Sequence, residues 1–180
     1  MCKFRTLRAD EIDVRVQQVA GSKSGVYAML LLYKDARVDM TLLDEQFGVF
    51  GWQREHSFKD NKNYCKVSVL NPATGEWVAK EDVGVESNTE ETKGQASDAF
   101  KRACVNLGIG RELYTSPKIV VTLNDNEYKE DGKDKFGNTK YKLNNWVKFQ
   151  VAFIEYNEHR AIAKLTITDN KHLIRYQKQD

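Results

Sequence analysis

The segment DAFKRACVNLGIG, Asp98 to Gly110, sets two cations side by side, Lys101 and Arg102, inside an apolar pattern. A lysine point charge next to a planar guanidinium fork suits phosphate oxygens. The same pair also fits a solvated helix face. Asp98 stands three residues before Lys101 and four before Arg102, the spacing of ordinary helix-surface ion pairs. Spacing alone leaves both readings open. A second set interleaves aromatic and basic residues: Phe50, Trp52, Tyr64 and Trp77 with Arg54, Lys66 and Lys80. Rings that stack on bases beside cations that hold phosphates would make a nucleic-acid platform. Aromatics in strands are also common core residues, so this set too stays open. A third set is acidic. Glu76, Glu81 and Asp82 around Lys80 have the residue types of a magnesium-dependent nuclease, whose carboxylates hold the ion near a scissile phosphate. No isolated acid at a suitable spacing precedes them, which makes this the weaker alternative.

Other chemistries find little support. Cys2, Cys65 and Cys104 are odd in number and far apart, and with His56, His159 and His172 they form no C-x-x-C or H-x-x-H spacing. Neither a disulfide framework nor a zinc site is expected, and the thiols read as small core residues. No G-x-S-x-G elbow is present. The glycines of Gly108–Gly110 follow a helix, whereas a phosphate-cradling loop precedes one, so they read as a helix terminator.

These residues need a scaffold, and the periodicity outlines it. Leu7 to Val16 reads as a short helix, and GSKSG (Gly21 to Gly25) as a turn. Val26 to Lys34 is an apolar run of strand length, with a buried helical segment as the alternative. Val38, Leu42 and Phe47 give a helix that stops at Gly48. The period then becomes two, with antiparallel strands at Phe50–Phe58, Tyr64–Leu70 and Glu76–Val85 joined by KDNKN and NPATG turns. Cys65, Val67 and Val69 face the apolar side of this sheet. Arg54, His56 and Lys66 are expected on the wetter side. A long amphipathic helix follows, capped by Ser87 or Asn88 with Glu90 or Glu91. Its stripe is Ala96, Ala99, Phe100, Ala103, Cys104 and Leu107. Lys101 and Arg102 lie about 100° and 200° around it from Phe100. Arg111, just beyond the helix, suits the negative end of its dipole. Lys118–Leu123 reads as a strand, Asn124–Lys140 as a mobile loop, and Trp146–Tyr156 with Arg160–Thr168 as a hairpin. The fold class is α+β, with an antiparallel sheet packed against the long helix, in one domain spanning residues 1–180.

Composition sets outer bounds. A chain of 180 residues, 41% hydrophobic and 30% charged, can bury a core while keeping a solvated surface. Net charge is only +2, so any basic footprint must come from local placement. No apolar run approaches the roughly 20 residues that span a bilayer, and the first residues lack the apolar core of a secretion signal. A cytoplasmic location with no membrane partner is expected.

Taken in order, LLDEQFGVFGW (Leu42–Trp52), KEDVG (Lys80–Gly84) and SDAFKRACVNLG (Ser97–Gly108) resemble the Rad52 family of single-strand annealing proteins of double-strand-break repair. FG-x-x-GW, a strand hairpin, EDVG and a helix carrying D-x-x-KRA and ending in LG come in the same sequence. The resemblance covers about residues 10–115, and the remainder, about residues 118–180, is similar to the C-terminal strands of short bacteriophage members. It implies a β-β-β-α core in an oligomeric ring, with one DNA strand in a basic groove between sheet and helix. Phosphates would face the protein and bases would stay open for pairing, with no cofactor, no metal, no ATP and no covalent catalysis. The partners implied are single-stranded DNA, further copies of the chain, and a single-strand-binding protein. For a phage-encoded protein the location would be the bacterial host cytoplasm. By position, the groove cations would be Lys101, Arg102, Lys93, Lys66 and, from the N-terminal segment, Arg15, with Arg54 from the strand platform. Val105 stands where the family often has a further basic residue, and the loop after EDVG is shorter than in eukaryotic members, so a second, outer DNA site does not carry over. A module that coats single strands without annealing them needs the same groove.

Overall fold

The computed structural model describes residues 4–85 and 91–179. In chain order it has a 3-10 turn (Ala9–Glu11), β1 (Asp13–Ser22), β2 (Gly25–Tyr33), α1 (Ala36–Phe47), β3 (Trp52–Lys59), β4 (Lys62–Leu70), β5 (Trp77–Val83), α2 (Glu91–Leu107) and a second 3-10 segment (Arg111–Thr115). Then come β6 (Ile119–Thr122), β7 (Tyr128–Lys133), β8 (Thr139–Leu143), β9 (Phe149–Tyr156), β10 (Ile162–Asp169) and β11 (Ile174–Lys178). The fold is rich in antiparallel sheet, with two α-helices among the described residues. The chain divides into two compact units, Met1–Thr6 with Asp35–Arg111, and Leu7–Lys34 with Glu112–Asp180.

The first unit holds α1, the sheet β3-β4-β5 and α2. The strands form because their side chains alternate. Cys65 and Val67 are fully buried and Val69 nearly so, while Lys66 between them is exposed. The β3–β4 turn puts both central residues, Asp60 and Asn61, at positive φ (50° and 58°), the two-residue geometry that matches strand twist. Ala99, Phe100, Ala103 and Cys104 of α2 are buried, and the helix packs on β4 and β5. Gly108, at φ 111°, ends the helix, and its amide reaches the Cys104 carbonyl at 3.1 Å. The expected cap at Ser87 or Asn88 lies outside the described residues.

Two family-like glycines have steric reasons. Gly84 closes β5 against α2, where an added Cβ would overlap the Gln95 carbonyl oxygen and lie 3.1 Å from the Ala99 nitrogen. Gly51 sits over the end of α1, where a Cβ would strike the Phe47 carbonyl oxygen. EDVG and FG-x-x-GW thus mark close backbone approaches.

The second unit is a six-stranded antiparallel sheet in the order β11-β10-β9-β1-β2-β6, with the separate hairpin β7–β8. Here two expectations are corrected. Leu7–Val16 is not a helix: only Ala9–Glu11 turns, closed by the Glu11 carboxylate, which accepts the Arg8 amide at 2.8 Å, and β1 follows. Val14 and Val16 alternate with exposed neighbours, and pairing along the whole of β2 outweighs local helix preference. Asn124–Lys140 is not a loop throughout, since Tyr128 and Tyr141 pack edge to face at 5.5 Å across the β7–β8 hairpin. Asp134 Oδ1 accepts from the Phe136 and Asn138 amides and shapes its turn. Strand β11 carries no sequence signal of its own. It is held through Arg175, which is nearly buried and paired with Glu127 at 2.6 Å and Asp169 at 3.1 Å.

Candidate nucleic-acid interface

The register of the three-stranded sheet decides which cations share a face. Arg54 lies directly opposite Val67, which lies opposite Lys80, and His56 lies opposite Cys65, which lies opposite Asp82. Directly opposed residues project to one side. Arg54, His56 and Lys80 therefore stand on the same face as buried Cys65 and Val67, the face that α2 covers. Lys66 is opposite Glu55 and Glu81, on the other face. The expectation that Arg54, His56 and Lys66 line one wet side is thus wrong by the parity of the strand: Lys66 and Val67 are neighbours in sequence and opposite in direction.

Lys66 is also neutralised where it stands. Its Nζ lies 2.7 Å from Glu55 Oε2. The hydrogen bond and charge of Glu55 push the Lys66 pKa up, and Lys66 holds the Glu55 carboxyl below its usual range.

On the covered face, Trp52 stacks on Phe100 of α2 at 6.2 Å between ring centroids. The Arg54 guanidinium sits over the same ring, 4.8 Å from its centroid. Such a cation–π contact contributes about 0.5–1 kcal/mol at an exposed site and fixes a flexible side chain. Trp52 is itself anchored, its Nε1 donating to Asp44 Oδ1 of α1 at 2.7 Å. Cys65 lies nearby. Burial pushes its thiol up to about 11, with the Arg54 charge opposing, so it is an inert thiol and not a nucleophile.

The Lys101–Arg102 pair separates across the helix. Lys101 is one step of about 100° beyond Phe100 and Arg102 about 200°, and because Arg102 reaches β5, Lys101 projects from the other side of the helix, toward the sheet edge formed by β3, the strand of Arg54. Lys101 makes no ion pair among the described residues, and its charge is felt at Asp35, the N-cap of α1. Hydrogen bonds from the Arg37 side chain and amide hold that carboxyl down, burial opposes them, and Lys101 adds to the lowering. Arg102 points to β5. Its Nε donates to Asp82 Oδ1 at 3.2 Å, and Asn106 Nδ2 donates to Asp82 Oδ2 at 3.1 Å. Burial pushes the Asp82 carboxyl up, but the Val83 amide, Arg102 and Asn106 outweigh it and leave the group below its usual range. Asp98, the expected partner of the pair, instead accepts the Val85 amide at 3.0 Å.

The remaining candidates scatter. Arg15 is exposed on β1, in the second unit. Lys93 lies in the first turn of α2, and its side chain is outside the described residues. Arg111 caps α2, with Nε on the Val105 carbonyl and Nη2 on the Asn106 carbonyl, both at 2.8 Å. The carboxylates of the nuclease alternative do not converge. Glu81 and Asp82 point to opposite faces of β5, and Asp82 is occupied by Arg102 and Asn106. Lys80, already part of the aromatic–basic set, and Phe58, which no motif singled out, join the face of Arg54. Their signal was the two-residue period of β3 read together with the register to β5, which only pairing supplies.

A segment of 50 residues is 48% identical to a single-stranded DNA-binding protein, DdrA, of Deinococcus deserti, and covers 27% of this chain and 25% of that protein. The chain thus matches about a quarter of that relative's length. Residues 5–132, which take in α1, the three-stranded sheet and α2, match the Rad52/22 family double-strand break repair protein. The chain belongs to the Rad52/22 family.

Proposed function

We propose that the protein binds single-stranded DNA along the Arg54–Lys101 flank of α2 and anneals complementary strands without ATP. The observation that carries this reading is Arg54, fixed over Phe100 beside Trp52, with Lys101 on the same flank and without an ion pair among the described residues. Family membership supports single-strand binding and annealing in recombination and repair as its general role. Cations held in place and left without a carboxylate attract phosphates at little ordering cost. Phosphate contacts bind without reading sequence and leave base edges free for a second strand.

The finer parts of the proposal are a single annealing domain, assembly into a ring, a phage-type origin and cooperation with a single-strand-binding protein. Lys80, Lys93 and Arg15 are secondary contacts in it, and Lys66 is not used. Repeating one modest site around a ring would raise avidity through effective concentration, so a net charge of +2 is no obstacle.

The test is an annealing assay with complementary oligonucleotides, comparing the wild type with Arg54→Ala/Lys101→Ala. Wild-type acceleration that is lost in a folded double variant is expected. No acceleration by the wild type, or an unchanged rate in the variant, would remove the proposal. Strand binding without faster annealing would favour a coating module.

A further inference from the structure

In the second unit, β2 runs on past the end of its neighbour β6. Along an antiparallel strand, successive residues aim their backbone N–H and C=O at opposite sides. The Val26 carbonyl accepts the Leu123 amide at 2.9 Å, so the even-numbered residues of β2 face β6 and the odd-numbered ones face β1. Ala28 pairs with Val121, and Leu30 with Ile119. Two residues further on, the same register sets Leu32 against Pro117. Proline has no N–H to give, and β6 starts only at Ile119. The Leu32 N–H and C=O therefore stand on an open strand edge, with no backbone bond on that side among the described residues.

A groove of about 370 Å³ opens at this edge, lined by Met29–Leu32 of β2 and by the chain between Leu113 and Ile119. Its lining is mostly apolar, and the Tyr114 ring beside it is 76% exposed. Lys118 is the one charged residue among those that line it, and it is exposed, with no ion pair among the described residues. Glu112, the acid next to this segment in sequence, is buried and occupied by the Leu7 amide at 2.8 Å and Arg160 at 3.4 Å. On β1, Arg15 opposite Leu31 and Asp13 opposite Tyr33 offset each other. The groove is thus left with a net positive charge.

We propose that the open end of β2 takes up an extended peptide of a partner protein, added as a further strand, in which apolar and acidic side chains alternate. Leu32 offers one donor and one acceptor, the pair that an added strand reads. A helix has its own N–H and C=O groups bonded internally, and a nucleic-acid backbone would find a single cation here instead of a row of them. Strand alternation lets the apolar side chains bury against Leu31 and Tyr114 while the acidic ones turn toward Lys118. A proline and a lysine at an edge also prevent indiscriminate strand pairing, so a peptide that does pair must bring a carboxylate. The surface belongs to the second unit and does not rest on the Arg54–Lys101 reading.

The experiment measures binding of short labelled peptides to the full chain by fluorescence anisotropy. One peptide alternates valine with aspartate, a second alternates valine with lysine, and a third is the first with every backbone amide methylated, which removes its donors. The aspartate peptide should bind the wild type about tenfold or more tighter than the lysine peptide, and Lys118→Glu should reverse that order, since like charges brought together at an interface are costly. The methylated peptide should bind about tenfold more weakly or not at all, because the strand pairing is gone. Lys118 is exposed, so the melting temperature of Lys118→Glu should match the wild type. Lys23→Glu, the same change of charge on the exposed β1–β2 turn, should leave the aspartate peptide bound as in the wild type. The proposal is overturned by no saturable binding of the aspartate peptide, by equal affinity for its methylated form, by an unchanged order in Lys118→Glu, or by an equal loss in Lys23→Glu.

Discussion

Replacing Asp82 by asparagine separates a structural Arg102 from a phosphate-binding one. The substitution keeps an oxygen for the Asn106 amide and removes the charge that holds Arg102. The pair is monodentate at 3.2 Å, and its side chains are 44% and 22% exposed, so solvent weakens it. An exposed ion pair of this kind contributes about 0.2–1 kcal/mol. If a DNA phosphate competes with Asp82 for Arg102, releasing the arginine should tighten single-strand binding by about 1.5- to 5-fold, at 1.4 kcal/mol per tenfold. Stability should fall by a similar amount. The Glu81→Gln variant changes net charge equally but lies on the opposite face, beside Lys66, and should leave affinity nearly as it was. The assay is equilibrium binding of a labelled oligonucleotide, completed by the Asp82→Asn/Arg102→Ala double variant, in which the gain should vanish. The sign of any pH effect is set by the lowered Asp82 pKa. A depressed carboxylate contributes stability above its unfolded value and loses it only as pH falls through the lower folded value, so affinity should be flat between about pH 5 and 8. If Asp82→Asn leaves binding unchanged while Arg102→Ala lowers only the melting temperature, Arg102 is a strut for EDVG and the competition argument fails.

Three further expectations concern the same framework. Gly84→Ala should destabilise the first unit by about 3 kcal/mol or more, since backbone on both sides must move; a melting temperature within a degree or two of wild type would contradict the steric account. Lys66→Gln should leave single-strand affinity and its salt slope unchanged, because Lys66 is on the far face and paired with Glu55; a slope reduced by about 0.7 would return Lys66 to the site. Arg175→Met leaves Glu127 and Asp169 buried without their cation and should cost about 3–5 kcal/mol. Both carboxyls are held below their usual range, Glu127 chiefly by Arg175 and Asp169 by loop amides and Arg175 against the cost of burial. The wild type should therefore lose stability only as acid titrates through those lowered values, which denaturation against pH would read.

Much of the first unit was legible because its signals are local. Alternation in Cys65, Val67 and Val69 named the buried face, the stripe through Ala99, Phe100 and Ala103 named the packed side of α2, and Gly48 and Gly108 named both helix ends. The second unit was less legible. β1 depends on the whole length of β2 for its pairing, β7–β8 on a tyrosine contact between residues thirteen apart in sequence, and β11 on one arginine reaching two buried acids. None of these partners lies within the window that periodicity reads.

By itself the sequence determined the order of the family motifs, the α+β antiparallel class and the cations available to the site. Those follow from residue type and short-range period. Only the tertiary structure decided which cations share a face. Strand register sent Lys66 to one face and Arg54 to the other, and one helical step set Lys101 on the Phe100 flank while a second carried Arg102 to Asp82. A side chain's neighbours in space depend on pairing and packing between distant segments, and no local pattern encodes those.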